Sequence, residues 1–364
     1  MDVEVRYIDD SKGNGLFAKK NFSEDSILFE ESPLVCVQFS WNAEYGYKAC
    51  DHCLKPLETA EENVRRLTGK TEIVLPYPEL CTTNKSTITQ CSGCGVEYCN
   101  ADCQEKAFNQ YHRTLCVQTG PLQCLNDAWK QIHYPPETGN VMLIPRILAT
   151  IQQSCDKENT LNRFLKFCHR SVNDDSHLAH KLLGEKFANQ ISTLHSLLVQ
   201  SMPHEHVSQL LSPEGFQSLL ALMGTNGQGV ATSPFSQWVE NVPEKDLVSK
   251  LYEDMDANVG SFLDNEGVGL FETQSAANHS CLPNAEIVYR HNNSTLSLRA
   301  LRDIEAGEEI CISYVDECTL SSSRHSRQKE LRENYLFNCN CPKCLEQADD
   351  PDVTSDEDMS DSDE

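Results

Sequence analysis

Three stretches of this 364-residue chain carry side chains whose types and spacing could do chemistry. The first is Asn278-His279-Ser280-Cys281-Leu282-Pro283-Asn284. Asn and His side by side supply fixed donors and acceptors, and Pro283 with Asn284 forces a turn. The second is Glu308-Glu309-Ile310-Cys311-Ile312-Ser313-Tyr314, an alternating strand that ends on a tyrosine. The third is Cys339-Asn340-Cys341-Pro342-Lys343-Cys344, a thiol cluster one ligand short of a tetrahedral metal site. Cys281 has no partner nearby in sequence and is the natural fourth ligand. A zinc ion on Cys281, Cys339, Cys341 and Cys344 would tie the tail of the chain onto the Asn-His turn and build one wall of a pocket. With all four positions filled, that site is structural. No Ser-His-Asp set or glutamate pair argues for a dedicated nucleophile.

A second concentration of ligands spans residues 50–116: Cys50-x-x-Cys53, Cys91-x-x-Cys94, Cys99-x-x-x-Cys103 and His112-x-x-x-Cys116. Eight ligands make two tetrahedral zinc sites. The spacing of Cys99/Cys103 and His112/Cys116 predicts two ligands on one helical face in each pair. A module this small buries little core, so the metals must supply folding free energy. Between Cys53 and Cys91 lies a long insert in which Glu61–Arg66 reads as helix and Pro76, Pro78 and Thr82–Asn84 read as loop. The sequence does not say whether the insert forms a partner surface; Cys81 within it reads as a spare thiol rather than a ligand.

The elements that must position these groups follow from periodicity. Residues 1–40 read as β: Val3, Val5 and Tyr7 alternate, Gly13 and Gly15 punctuate, and Asp25–Glu30 and Leu34–Val37 are further short strands. Residues 120–262 read as mostly helical, with core faces on Ile147, Leu148 and Ile151, on Leu161, Phe164, Leu165 and Cys168, and on Leu194, Leu197 and Leu198. His169, His177, His180, His204, His206, Cys124 and Cys155 lack ligand spacing. Gly224–Gly229 reads as a loop that either links plainly or brings Asn226 to a bound ligand. Residues 263–316 return to β, with Leu296, Leu298 and Leu301 alternating. Residues 320–336 read as a basic helix with a solvated face.

The formal net charge is −25, and part of it sits in an acidic run from Asp349 to Glu364 that reads as disordered. Ser355, Ser360 and Ser362, each followed by acids, could accept phosphate and deepen the charge. So acidic a chain disfavours duplex DNA, whose phosphates need basic patches, and favours basic protein partners. Eighteen cysteines without an N-terminal apolar signal read as metal ligands in a soluble protein of the cytoplasm or nucleus. No stretch is long and apolar enough for a membrane span, and a monomer is expected.

Taken jointly, Asn-His-Ser-Cys-x-Pro-Asn, Gly-Glu-Glu-Ile…Ser-Tyr and Cys-x-Cys-x-x-Cys resemble the SET domain and post-SET segment of protein-lysine methyltransferases. Lys12-Gly13-Asn14-Gly15-Leu16-Phe17-Ala18 looks like that family's first glycine motif, and the cysteine/histidine module is similar to the SET-and-MYND branch. The acidic end and the absence of a long helical C-terminal domain narrow the resemblance within that branch. The resemblance implies an α+β fold, a split SET β-fold interrupted by a zinc-binding MYND module and a helical insert and closed by a zinc-binding post-SET segment. Its parts would be 1–49, 50–116 (MYND), 117–262 (helical), 263–316 (catalytic core), 317–348 (post-SET) and 349–364 (tail). It implies an interleaved pairing of the ligands, Cys50, Cys53, Cys99 and Cys103 on one ion and Cys91, Cys94, His112 and Cys116 on the other. Three structural zinc ions and S-adenosylmethionine would be the cofactors.

The resemblance also implies roles. Asn278 and His279 would hold the adenosyl and amino-acid ends of S-adenosylmethionine, and Lys12 and Asn14 its carboxylate, with Asn226 a further polar contact. Tyr314 would set its hydroxyl beside the transferring methyl, Tyr335 would line the lysine channel, and Phe337 would stack near the adenine or close the channel. The substrate would be a lysine in a basic segment, on a histone tail or ribosomal protein. Two other readings compete: a catalytically weak adaptor whose zinc module recruits peptides, and an acidic chaperone. Tyr314 together with Asn278 and His279 favours the enzyme.

Overall fold

Gly13 takes φ 68°, a left-handed conformation that glycine adopts without strain. It lets β1 (Val3–Asp9) fold back on β2 (Gly13–Ala18), with Val3 opposite Ala18 and Tyr7 opposite Asn14. The computed structural model describes residues 1–10, 12–117, 119–167, 185–243, 245–260 and 263–351. Cys168, His169, His177, His180 and the serines of the acidic run lie outside the described residues. The other strands are β3 (Ile27–Glu31), β4 (Val35–Gln38), β5 (Thr89–Gln90), β6 (Glu97–Tyr98), β7 (Gln228–Thr232), β8 (Asn265–Leu270), β9 (Asn278–His279), β10 (Ala285–Val288), β11 (Leu296–Ala300) and β12 (Glu309–Ile312).

They form small sheets in the orders β1-β2-β12-β9, β10-β11-β3, β4-β8-β7 and β5-β6. Strand β12 is the hinge of the arrangement. It pairs antiparallel with β2 and parallel with β9, so Glu309 faces Phe17 while Cys311 lies beside Asn278. Residues far apart in sequence, 14, 278 and 309, thereby reach one edge. Leu16, Phe29, Phe271, Leu298, Ile310 and Ile312 are buried together beneath these sheets.

The alternation read in the first residues marks a strand, as expected, although along β1 only Val3 is buried, with Val5 45% and Tyr7 63% exposed. In β11, Leu296 and Leu298 are buried whereas Leu301, beyond the strand, is 39% exposed.

A larger core joins β4 to the helices Thr119–Lys130, Leu143–Gln153, Glu185–Ser201 and Pro213–Asn226, around Trp129, Ile147, Leu148, Leu194 and Phe216. The stretch expected as a loop at 224–229 is helix through Asn226, followed directly by β7, which pairs with β8. The insert after Cys53 packs against the body of the chain. Its helix, Ala60–Thr68, is set by a capping box between Thr59 and Glu62. Val64 and Leu67 then pack with Trp238 and Met255 of the helices Pro234–Asn241 and Lys245–Val259, and the Trp238 indole donates to the Pro76 carbonyl at 2.8 Å. The insert braces the chain internally.

Candidate functional site

The 278–284 turn is fastened at both ends. At its start, Glu31 on β3 accepts hydrogen bonds from the backbone N–H groups of Thr273 and Gln274 at 2.9 and 3.0 Å, which caps the short 3-10 turn leading into β9. At its end, Asn284 lies against β12. Its side-chain oxygen accepts from the Cys311 N–H at 2.8 Å, and its amide nitrogen donates to the Glu309 carbonyl at 2.9 Å and to the Glu308 carboxylate at 3.1 Å. Between these anchors the turn presents Asn278 to one side and Cys281 to the other.

On the Cys281 side, four aromatic rings gather over the end of β12. Tyr314 sits 4.9 Å from Tyr335, 5.5 Å from His279 and 6.3 Å from Phe337, centroid to centroid. The Tyr314 hydroxyl donates to the Ala277 carbonyl at 2.9 Å, and the Tyr335 hydroxyl donates to the Tyr314 carbonyl at 3.0 Å. Each ring is therefore held by its own polar end. Burial pushes the Tyr335 phenol above its ordinary range, so it stays a neutral donor.

Beneath the rings lies the thiol knot. The Cys281 sulfur is 3.9 Å from Cys339 and 3.5 Å from Cys344, and Cys341 completes the set. In the MYND-like module Cys50, Cys53, Cys99 and Cys103 form one cluster and Cys91, Cys94, His112 and Cys116 another. There the contacts run from 3.5 Å (Cys99–Cys103, Cys94–His112) to 3.8 Å (Cys91–Cys116). Disulfide sulfurs are about 2 Å apart, and zinc at about 2.3 Å from each sulfur would separate tetrahedral thiolates by about 3.8 Å. The clusters fit zinc and not disulfides, and all these cysteines are free. Within each cluster some thiols are pulled toward the thiolate while their neighbours are held protonated by burial and by each other. Hydrogen bonding from the His112 ring pulls Cys91 down to about 6, and bonds from Cys281 and Cys339 hold Cys344 well below the thiol range. One geometric expectation needs correcting. Cys99 precedes the helix Ala101–Ala107, so it does not share a helical face with Cys103; Asn100, capping that helix through the Cys103 N–H, brings them together.

The structure unites most of the residues singled out from sequence, in two groups. Lys12, Asn14 and Asn278 meet at the β2–β12–β9 edge. The Asn278 amide donates to the Asn14 carbonyl at 3.0 Å and to Glu309 at 2.9 Å, and Lys12 pairs with Glu309 at 3.1 Å. His279, Tyr314, Tyr335 and Phe337 form the aromatic group. The His279 ring is committed internally: Nδ1 accepts from the Tyr314 N–H at 3.0 Å and Nε2 faces the Cys281 sulfur at 3.3 Å. Both ring nitrogens are thus engaged within the chain. Burial holds the ring neutral, down to about 4, with the Cys344 thiolate opposing and Arg327 reinforcing the shift. Asn226 donates to the Leu222 carbonyl of its own helix at 3.0 Å. His204 and His206 contact the Val199 carbonyl and Glu205.

Sequence reasoning missed several residues. The helix Arg324–Tyr335 was expected to carry a solvated basic face, yet Arg327 is fully buried. Its guanidinium donates to the Ser322 carbonyl and the Gln347 side chain and lies 3.8 Å from the Cys344 sulfur. A pair of acids beside a glycine turn, Glu308 and Glu309, gave no sign that strand alternation would aim one at Asn284 and the other at Asn278.

The donor chemistry fits the nucleoside cofactor that the resemblance implies: an exposed ammonium on Lys12 and an amide on Asn278 share one edge, and the Phe337 ring lies beside His279 and Tyr314. The SET domain family model matches residues 13–315. The chain is 50% identical over 371 residues to the chicken (Gallus gallus) protein-lysine N-trimethyltransferase SMYD5, covering 97% of this chain and 88% of that one. It is likewise 50% identical over 374 residues to the Homo sapiens SMYD5, covering 98% and 90%. To the histone-lysine N-methyltransferase SMYD3 of Mus musculus it is 27% identical over 349 residues, covering 95% and 63%. With a SET domain over most of its length and such relatives along nearly all of it, the chain belongs to the SET-and-MYND family of protein-lysine methyltransferases, alongside the family's member five.

Proposed function

We propose that this lysine methyltransferase binds S-adenosylmethionine between the Lys12–Asn14–Asn278 edge and Phe337, and modifies a lysine in a basic protein segment of the kind found on histone tails or ribosomal proteins. The observation that carries the reading is the Tyr314 contact set. Its hydroxyl meets the Ala277 carbonyl, its carbonyl takes the Tyr335 hydroxyl, and its N–H is held by His279. A tyrosine fixed by three bonds can orient a substrate amine without reorganising.

S-adenosylmethionine would supply an activated sulfonium methyl for in-line displacement. The chain's own residues must do the rest. Tyr314, Tyr335 and Phe337 strip water from the lysine amine and favour its neutral form. The Tyr314 hydroxyl and the Ala277 carbonyl offer oxygens that align that amine. Lys12 and Asn278 orient the donor's amino-acid end. The SMYD5 relatives are trimethyltransferases by name, which supports addition of three methyl groups. The net charge of −25 supports a basic substrate. Three zinc ions, one on each thiol cluster, would hold the two modules in shape.

Methyl transfer to a library of basic peptides, followed by intact mass, tests the reading. Wild type should yield methylated lysine and Tyr314→Phe should lose at least about tenfold in rate, with three zincs per molecule by elemental analysis. Transfer unchanged in Tyr314→Phe, or fewer than three zincs, overturns it. A second reading, peptide recruitment by the MYND-like module, is favoured by a cleft of about 270 Å³ beside it, lined by Tyr111, His112, Leu115, Leu122, Met142 and Arg146. Peptide binding that survives Tyr314→Phe and fails on Leu122→Asp would support that role.

A further inference from the structure

Glu309 stands where three chain segments converge and bonds two residues read as cofactor contacts. Its Oε2 pairs with the Lys12 ammonium at 3.1 Å, and its Oε1 accepts from the Asn278 amide at 2.9 Å. The neighbouring Glu308 points the other way, to Arg302 and Asn284. Strand alternation therefore gives the two glutamates different work, and only Glu309 faces the ligand edge.

The bond to Asn278 has a directional result. A side-chain amide has two N–H donors and one oxygen acceptor. Both donors of Asn278 are taken, one by the Asn14 carbonyl and one by Glu309. Turning the amide over would set its oxygen against a carbonyl and a carboxylate, which is repulsive. The oxygen is thus fixed as the face shown to a ligand. An outward oxygen beside a lysine ammonium is a complementary pair, since the oxygen takes a ligand ammonium and the lysine takes a ligand carboxylate. The two functions of a free amino-acid group match that pair.

We propose that Glu309 is a positioning residue for the amino-acid end of the cofactor. It fixes the Asn278 oxygen outward and holds Lys12 at the same edge. The inference rests on the reading that Lys12 and Asn278 bind that end. It goes beyond that reading by assigning a residue that touches no ligand and by predicting which half of the ligand feels its loss.

Calorimetry with two ligands tests it. S-adenosylhomocysteine carries the amino-acid group, and 5′-methylthioadenosine lacks it. Wild type should bind S-adenosylhomocysteine more tightly. Glu309→Ala should weaken S-adenosylhomocysteine about tenfold or more and methylthioadenosine hardly at all, because charged hydrogen bonds are lost at one end of the ligand only. Glu309→Gln keeps an acceptor for Asn278 but loses the ion pair, so it should fall between. In a Lys12→Met background Glu309→Gln should add little. Unchanged zinc content and thermal midpoint establish that the variants fold.

The failures are distinguishable. If wild type does not prefer S-adenosylhomocysteine, the underlying assignment of Lys12 and Asn278 falls and the proposal with it. If wild type discriminates but the folded Glu309 variants lose both ligands equally, or neither, Glu309 has no positioning role and only the proposal falls.

Discussion

Tyr335 donates to the carbonyl of Tyr314, and Tyr314 to that of Ala277, so two phenols in series hold the end of β12 against the turn. Removing the outer hydroxyl with Tyr335→Phe leaves a buried carbonyl with one partner fewer, at a cost of roughly 1 kcal/mol. The larger effect should be on positioning, with kcat falling several-fold while the KM for cofactor holds; steady-state kinetics with a methylated-peptide readout decides. Arg327 makes a second residue-scale case. With zinc bound, four thiolates would carry net negative charge, and the guanidinium of Arg327, with no exposed surface, lies 3.8 Å from the Cys344 sulfur. Arg327→Met should lower zinc retention at that knot, seen as roughly one metal fewer per chain after dialysis against a mild chelator while the other two remain. Retention of all three would mean that the charge is balanced elsewhere.

Elements, rather than single groups, decide how the thiol knot matters. Cys281 lies on the same bend as Asn278, and Phe337 lies two residues before Cys339. Loss of one ligand should loosen both walls of the pocket. Cys339→Ser is expected to weaken S-adenosylhomocysteine by about tenfold or more in calorimetry, through ordering cost rather than lost contacts. Normal affinity in that variant would detach the knot from the pocket. The insert makes a separate prediction. Trp238 is completely buried against the insert helix, and Trp238→Ala should cost about 4 kcal/mol in a denaturant titration.

The ligand clusters and the Asn-His turn were legible because ligand identity and short spacing are local chemistry. The bracing role of the insert was not, since Val64, Leu67 and Trp238 declare themselves core only when helices remote in sequence meet. Nor was Arg327, because periodicity treats every charge as solvated, or the His279 ring, whose partners are a backbone N–H and a thiol on other segments. The helix running to Asn226 was hidden by three glycines, which read as breakers; φ at Gly227 is an ordinary −64°.

For the molecule as a whole, charge and burial make opposite demands. With a net charge of −25, encounter with a basic peptide should be steered, so raising ionic strength from about 50 to about 300 mM should increase peptide KM and leave kcat alone. A KM indifferent to salt would remove electrostatics from substrate choice. Burial costs appear in acids kept inside. Glu137, which accepts from the Ser40 and Trp41 N–H groups, is pushed by burial up to about 7 from an ordinary 4.5, and Glu31, Asp264 and Glu266 are raised for the same reason. A folded state that keeps such protons gains stability below pH 4.5 relative to neutrality and loses it as pH climbs through about 7. Between those values Glu137 alone should account for roughly 3 kcal/mol at most. Glu137→Gln should flatten the fall in denaturation midpoint from about pH 5.5 to about 7.5; an unaltered slope would clear Glu137 of the effect.

Asn284 gives two protons and takes one, all from a single amide pressed on β12. Aspartate has the same outline but gives none. Placed there, it would set one negative oxygen, where the amide nitrogen stood, against both the Glu308 carboxylate and the backbone oxygen of Glu309. An exchange of nitrogen for oxygen, invisible to any measure of size or packing, would then prise the bend from the strand and drag with it the asparagine and the thiol hung along its length.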